Sequence, residues 1–440
     1  MSGATPGLLI AAPRSGSGKT TVVLGLQRAL RRRGLRVRGV KCGPDYIDPA
    51  FHAVATGAPS LNLDSFAMGD EVLSALATRA GAGADLVIGE GSMGLFDGVR
   101  GEVGRTGASA DIAARFGWPV ILVLDVSGHA QSAAAVALGC ARYDPRITVA
   151  GVIFNKVASE RHRRLVEDGL ARVGLPALGE ILRDATIELP ERHLGLVQAG
   201  ETANLETRLE RLADLVEGAV DLDRLAALAG ATPISAIADA PPLPLPGRRI
   251  ALAADAAFSF VYPHVLTGWR EAGAEIVTFS PLGDEPPPEA CDACWLPGGY
   301  PELHAGRLAA ATRFLDGLRR FAQTRPVHGE CGGYMALGRT LEDGEGRTHR
   351  MADLLPVATS YARRKFHLGY RVAALARSGV LGPAGAALVG HEFHYASVVE
   401  SAPPDFAGTR DADGADLGFS GHCRGLVSGT FFHAIARARA

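Results

Sequence analysis

The segment Ser15-Gly16-Ser17-Gly18-Lys19-Thr20 puts glycines, an ammonium and a hydroxyl in the order that holds a chain of phosphates. It lies between an apolar strand-like run and a helix-like run, so backbone N–H groups and a helix N-terminus face the anion. Lys19 then reaches the β- and γ-phosphates of a nucleotide, and the Thr20 hydroxyl is offered to Mg²⁺. Pro13 stands where the pattern G-x-x-x-x-G-K-[ST] asks for glycine. Metal–phosphate chemistry also needs carboxylate oxygens. Two glycine-containing turns supply them: Lys41-Cys42-Gly43-Pro44-Asp45-Tyr46-Ile47-Asp48-Pro49 after the second strand-like run, and Glu90-Gly91-Ser92-Met93-Gly94-Leu95-Phe96-Asp97-Gly98 after the third. A lone Asp near a turn is ordinarily a cap. The clustering here makes Asp48 and Glu90 the expected Mg²⁺ ligands beside Thr20.

A second chemistry is written in the C-terminal half. Pro326-Val327-His328-Gly329-Glu330-Cys331-Gly332-Gly333-Tyr334-Met335 reads as a strand, a Gly-flanked cysteine and a helix start. This is the cysteine version of the nucleophile elbow, whose small neighbours permit a sharp turn and whose helix N-terminus favours a thiolate. A nucleophilic cysteine needs a base, and His391, His394 and His433 lie downstream. Pro297-Gly298-Gly299-Tyr300-Pro301-Glu302, after another strand, offers backbone donors for an oxyanion. Zinc chemistry is disfavoured. His391-Glu392-Phe393-His394 has its histidines three apart, on opposite faces of a strand, and Cys291-Asp292-Ala293-Cys294 is a single pair that reads as core packing.

These residues need rigid elements to hold them. Strand-like runs at 8–12, 37–40, 86–89, 120–125 and 149–154 alternate with helical stretches such as 20–32, the signature of a parallel sheet covered by helices. A helical region over 201–228 closes that half. Five prolines between 231 and 249 then mark a boundary, and strand candidates resume at 249–253, 275–279, 293–296, 326–328 and 388–389. The expected division is a first domain over 1–230, a Pro-rich linker over 231–247 and a second domain over 248–440. Both are α/β and doubly wound.

Composition sets the outer bounds. The 440 residues carry a formal charge of −2, 47% hydrophobic and 21% charged residues, with basic residues scattered apart from Arg31 to Arg33. No nucleic-acid footprint stands out, and disorder is excluded. The apolar runs are strand-sized, so no membrane span is expected. Residues 8–12 read as a first strand instead of a signal peptide, and the six irregularly placed cysteines suit a reducing compartment. A cytoplasmic protein without disulfides is expected.

Taken in order, these motifs carry a resemblance that spans nearly the whole chain. The phosphate loop, Lys41–Pro49, Asn62-Leu63-Asp64, Glu90–Gly98, Leu189-Pro190-Glu191-Arg192-His193-Leu194-Gly195-Leu196, Pro297–Glu302, Gly329–Gly333, His391–Tyr395 and Gly429-Thr430-Phe431-Phe432-His433 are similar to the cobyrinic/hydrogenobyrinic acid a,c-diamide synthases of corrinoid biosynthesis. The resemblance implies a P-loop NTPase-like domain related to dethiobiotin synthetase, joined to a class I glutamine amidotransferase domain of flavodoxin-like fold. It implies ATP and Mg²⁺ as cofactors, and glutamine and hydrogenobyrinic or cobyrinic acid as partners, with room for a homo-oligomer. It makes Cys331 the glutaminase nucleophile and His433 its base, with Gly298 and Gly299 holding the oxyanion. Lys41 joins the nucleotide site, Asn155 matches a position that reads the adenine edge, and Asp45 and Asp97 sit near an acyl phosphate. Full-triad relatives carry His-x-Glu, whereas His433 is followed by Ala434 and Ile435, so Cys331 and His433 form a dyad with Glu392 as a stand-in third member. Arg192 and His193 could face the macrocycle's carboxylates, a surface-loop role being about as good a reading.

The implied reaction is amidation. ATP turns a carboxylate into an acyl phosphate, and ammonia released from glutamine passes between the domains and displaces the phosphate. Two alternatives share parts of this pattern. One is cobyric acid synthase, which amidates other side chains of the same macrocycle. The other is a ParA/MinD-like switch ATPase, toward which Arg14 points because it occupies the place of a signature lysine; such a switch needs no nucleophile elbow.

Overall fold

A computed structural model describes residues 5–183, 190–192, 195–232 and 242–438. Pro233 and Pro241 of the boundary, and Leu189, His193 and Leu194 of the 189–196 motif, lie outside the described residues. The chain divides into two compact units, Met1–Ile237 and Ala238–Ala440.

The first unit is built on seven parallel strands: β1 (Pro6–Ala11), β2 (Val37–Cys42), β3 (Leu61–Leu63), β4 (Leu86–Glu90), β5 (Val120–Asp125), β6 (Val149–Val157) and β7 (Ala177–Leu182), in the order β3-β2-β4-β1-β5-β6-β7. Near-continuous Val, Ile and Leu fit strands covered on both faces. The order reverses beside β1, and open α/β sheets bind ligands at such a switch point, outside the carboxyl ends of the strands. There the chain turns through Gly16 and Gly18, both at positive φ, into helix α1 (Lys19–Arg32). Helix α1 buries Val22, Val23, Leu26, Ala29 and Leu30 in the core and meets helix α3 (Leu205–Ala219) across Gly25, where a methyl would lie 2.8 Å from the Leu212 carbonyl. Gly230 and Ala231 pair antiparallel with β1, so this sheet runs into the region expected to be linker.

One detail of the sequence reading changes. The Asn62-Leu63-Asp64 motif overlaps the short strand β3, so the Glu90 turn follows the fourth strand and not the third. Lys41 and Glu90 are themselves strand residues, paired in register on β2 and β4, and helix α2 (Asp48–Thr56) begins at Asp48.

The second unit centres on a six-stranded sheet. Strands β8 (Arg249–Ala253), β9 (Glu275–Phe279), β10 (Ala293–Leu296), β11 (Val327–Glu330) and β15 (Val427–Thr430) are parallel, and the edge strand β14 (His422–Arg424) is antiparallel. A five-stranded antiparallel sheet adds β12 (His367–Leu375), β13 (Ala387–His394) and β16 (His433–Arg437), with His391 opposite His433. Strand β13 is longer than the apolar pair Leu388–Val389 suggests, because its polar end alternates Glu392 and His394 on one face. Residues 242–244 already belong to this unit: Arg437 N–H donates to Pro242 O and Trp269 Nε1 to Pro244 O.

Between β11 and helix α4 (Gly332–Leu337) the chain passes through Cys331 at φ 47°, ψ −104°, a conformation costly for a residue with a side chain. Close packing holds it there. A methyl on Gly333 would sit 1.9 Å from the Leu296 carbonyl, and one on Gly329 would sit 2.7 Å from the Gly333 carbonyl carbon. Gly333→Ala should therefore destabilise the second unit by about 1–3 kcal/mol. Gly379→Ala, in open space, should leave the midpoint of thermal unfolding unchanged; circular dichroism reads both.

Candidate active sites

The phosphate loop is braced from behind. Asn155 Nδ2 donates to Ser17 O at 2.9 Å, and its Oδ1 accepts the Lys156 N–H at 3.0 Å. A methyl on Gly18 would meet Asn155 Nδ2 at 2.1 Å, so glycine is required there for close approach as well as for φ. Asn155 therefore stands directly behind the loop, with Nδ2 on Ser17 and Oδ1 on its own neighbour Lys156. Ser17 Oγ donates to Arg14 O, and Arg14 and Lys156 converge on Asp125 at 3.1 and 3.0 Å. Arg14 is thereby paired within its own chain.

Lys19 Nζ donates to the Met93 carbonyl at 2.7 Å. Met93 has φ 50° and a side chain 57% exposed, a strained backbone turn that aims a carbonyl at the ammonium. Burial, with Lys41 adding to it, draws the Lys19 ammonium down to about 8. An anion arriving at the loop would favour its charged form further.

Behind the loop lies a buried charged cluster. Glu90, fully enclosed, receives the Thr20 hydroxyl at 2.6 Å and the Lys41 ammonium at 2.9 Å on Oε1, with His52 Nε2 2.7 Å from Oε2. Burial alone would neutralise Glu90, but Lys41, His52 and Thr20 outweigh it and hold the carboxylate well below its usual range. Lys41 also donates to Asp48 and lies 3.7 Å from Asp45. Its burial opposes the charge, and the surrounding carboxylates raise its pKa regardless. Asp48, buried and beside Asp45, is pushed up. Asp45 Oδ1 accepts the N–H groups of Ile47 and Asp48, leading the chain into α2. Asp97 is exposed, accepts the Gly94 N–H at 2.8 Å and acts electrostatically on Lys19. The structure therefore gathers Lys19, Thr20, Lys41, Asp48 and Glu90 at the carboxyl ends of β1, β2 and β4. His52 and Met93 belong to this site and were missed, His52 because an isolated histidine in a helix carries no motif.

In the second unit Cys331, His433 and the Gly298 turn converge. A methyl on Gly298 would come 2.3 Å from His433 Cε1, 2.9 Å from Nε2 and 3.3 Å from Cys331 Cβ, so only glycine lets the imidazole and the thiol face each other here. The Gly299 N–H lies beside Gly332, at the start of α4. The expectation that the helix start favours a thiolate is reversed. Burial, reinforced by Glu302, pushes the Cys331 thiol far above its usual value, against a smaller opposing effect of the Gly332 N–H. Burial, with His391 and His394 adding to it, draws His433 down to about 3. Burial thus disfavours charge on both the thiol and the imidazole.

Glu392 is engaged elsewhere. Its oxygens lie 2.6 Å from Arg371 Nε and 2.7 Å from His394 Nε2, and His394 stacks on Phe431 and His367. His367, Glu392 and His394 bring ligand atoms within 4.8 Å of one another, but the Arg371 guanidinium already supplies the positive charge. Cys291 and Cys294 are free buried thiols in the core, as are the other cysteines free. Among the described residues no helix is long and apolar enough to cross a membrane.

Comparison with known proteins gives the same division of chemistry. Residues 8–197 match the CobQ/CobB/MinD/ParA nucleotide binding domain, and residues 249–440 match the CobB/CobQ-like glutamine amidotransferase domain. The chain is 58% identical over 436 residues to a hydrogenobyrinate a,c-diamide synthase of Mesorhizobium japonicum, covering 98% of this chain and 99% of the relative. A protein of the same name from Agrobacterium fabrum is 56% identical, covering 98% of each chain. That of Rhodobacter capsulatus is 58% identical, covering 99% of this chain and 100% of its own.

The buried groups of the second unit fix the sign of its pH dependence. Burial draws His264 to about 4 and His328 and His433 to about 3, from an ordinary 6.5. Below pH 6.5 the unfolded chain binds those protons first, so stability falls as the pH drops. Burial pushes Glu330 up to about 8 from an ordinary 4.5, so between pH 6.5 and 8 the folded chain holds the extra proton and stability falls as pH rises. Urea titrations of wild type between pH 6.5 and 8 should show that decline, at up to about 1.4 kcal/mol per pH unit, and Glu330→Gln should remove it.

Proposed function

The chain belongs to the hydrogenobyrinate a,c-diamide synthase family, and from that premise we propose that it amidates the a and c acetate carboxylates of hydrogenobyrinic acid, with ATP and glutamine, in the cytoplasm. The observation that carries this reading is full-length identity of up to 58% with relatives of that name, over both the nucleotide-binding and the amidotransferase unit.

A carboxylate does not expel oxide when ammonia attacks. Transfer of the γ-phosphoryl group of ATP to the acetate oxygen gives an acyl phosphate and ADP, and ammonia then displaces phosphate to leave the amide. The loop from Ser15 to Thr20 holds the phosphates through its backbone N–H groups, with Asn155 keeping the loop in shape. Lys19 exchanges the Met93 carbonyl for phosphate oxygens, which favour its charged form. Thr20, Asp48 and Glu90 form a set of hard oxygen donors that fits Mg²⁺, which when bound neutralises phosphate charge. Lys41 keeps Glu90 ionised and oriented, and His52 fixes its second oxygen. Asp45 and Asp97 position the acyl acceptor and the incoming ammonia.

Glutamine is cleaved at the second site. Cys331 Sγ attacks the side-chain amide carbon while its proton passes to His433, and the N–H groups of Gly298 and Gly299 hold the oxyanion. The imidazolium returns that proton to the departing nitrogen, releasing ammonia. Water then hydrolyses the thioester to glutamate. Because burial disfavours charge on both thiol and imidazole, we infer that proton transfer is coupled to attack.

Mass spectrometry of the products from hydrogenobyrinic acid, ATP, Mg²⁺ and glutamine, with cobyrinic acid in parallel, tests the reading. A diamide from the metal-free macrocycle is expected, and amides at other side chains or none would overturn it. Cys331→Ala should lose glutamine-supported amidation and keep the ammonia-supported rate within twofold. Lys19→Ala should lose both, and substantial amidation with ammonia would remove the assignment of the phosphate loop.

A further inference from the structure

We propose that Glu330, the residue before the nucleophile, is the positioning carboxyl of His433 and completes the glutaminase site in place of the acidic residue that the sequence after His433 lacks. The inference rests on the assignment of Cys331 and His433 to glutamine hydrolysis. Three features of the fold place it. Strands β11 and β15 are parallel and adjacent, with Glu330 opposite Thr430, and Cys331 N–H donates to Thr430 O at 2.8 Å. The short connection from β15 to β16 therefore brings His433 back over the end of β11. Glu330 Oε1 accepts the Ala434 N–H at 2.8 Å, tying the carboxyl to the residue beside the imidazole. Its Oε2 then lies 3.9 Å from His433 Nδ1, with both side chains buried.

At 3.9 Å the contact is electrostatic and longer than a hydrogen bond, as catalytic contacts often are before substrate binds. The chemistry gives it a direction. Nε2 lies on the side of Gly298 and Cys331, so the proton taken from the thiol arrives there and leaves from there with ammonia. Nδ1 must keep its own proton throughout, and Glu330 Oε2 is the oxygen placed to accept it once the carboxyl, which burial pushes up to about 8, is ionised, so the ionised carboxyl is the working form. In that ionised form the charge that builds on the ring as Cys331 attacks falls 3.9 Å from the carboxylate. The Phe260 carbonyl, hydrogen-bonded to the His433 ring, supports its charged form alongside Glu330; Glu302 acts electrostatically on the thiol, His391 and His394 oppose positive charge on the ring, and Glu392 is held by Arg371 and His394.

Glu330→Gln is an informative substitution because its single amide oxygen is claimed by the Ala434 N–H. The amide NH₂ then faces Nδ1, donor against donor, and favours the tautomer with its proton on Nε2, which cannot accept from the thiol. In the full chain we expect kcat for glutamine hydrolysis to fall about 10²-fold or more, with KM for glutamine within twofold and ammonia-supported amidation unchanged. A glutaminase kcat within threefold of wild type, a loss confined to KM, or an equal loss of the ammonia reaction would overturn the proposal. The wild-type protein supplies a second test that needs no folded variant. In ¹⁵N-histidine spectra taken at pH 9, above the value of about 8 to which burial pushes Glu330, the resonance removed by His433→Ala should show a protonated Nδ1 and a bare Nε2, and the opposite tautomer would overturn the assignment. Cys331→Ala separates the two levels of inference: glutamine hydrolysis surviving that change would remove the underlying site, whereas an active Glu330→Gln beside an inactive Cys331→Ala would remove only the role of Glu330.

Discussion

Lys41 and Glu90 stand opposite each other on neighbouring parallel strands, sealed from water, and the arrangement of the nucleotide end follows from that pairing. A carboxylate this deeply buried survives ionised only because an ammonium, an imidazole and a hydroxyl converge on it. Those three groups come from β2, α2 and α1, so the charge balance also fixes where each element ends relative to the sheet. With Glu90 anchored, Thr20 is oriented at the first turn of α1, and the phosphate loop inherits its position from both. The remaining acidic neighbours, Asp45 and Asp48, make the mouth of the sheet a place where added positive charge is accommodated.

The second unit solves the opposite problem. Its reactive groups are enclosed without a compensating ion, and thiol, imidazole and the Glu330 carboxyl are driven toward neutrality by the same burial that concentrates charge pairs in the first unit. One chain thus uses low-dielectric surroundings in two ways. It holds permanent charges in register where phosphate is to be bound, and it suppresses charge where a nucleophile waits for its substrate.

Much of this was legible before any coordinates. Glycines that permit positive φ or close approach announced the phosphate loop and the elbow, because few other residues tolerate such geometry, and apolar runs marked the strands of both parallel sheets. What escaped were features made by tertiary approach. Strand β3 is too short to announce itself, and His52 and Met93 have meaning only once their elements pack beside Glu90 and Lys19. The antiparallel sheet of the second unit was hidden by the polar residues on β13. The helix-dipole argument for a thiolate failed because a six-residue helix does not outweigh full enclosure of the sulfur. Glu330 carries no role in the local sequence, since nothing there reveals that Ala434 folds back onto it.

The enclosure of Cys331 has a consequence for the durability of the protein. Oxidants and alkylating agents attack thiolates, and a sulfur held as the thiol while only 3% exposed presents almost none to them. The nucleophile is in effect stored in an inert form, and the strained backbone at φ 47° keeps it aimed throughout storage. An enzyme built this way exchanges some readiness of its sulfur for chemical longevity.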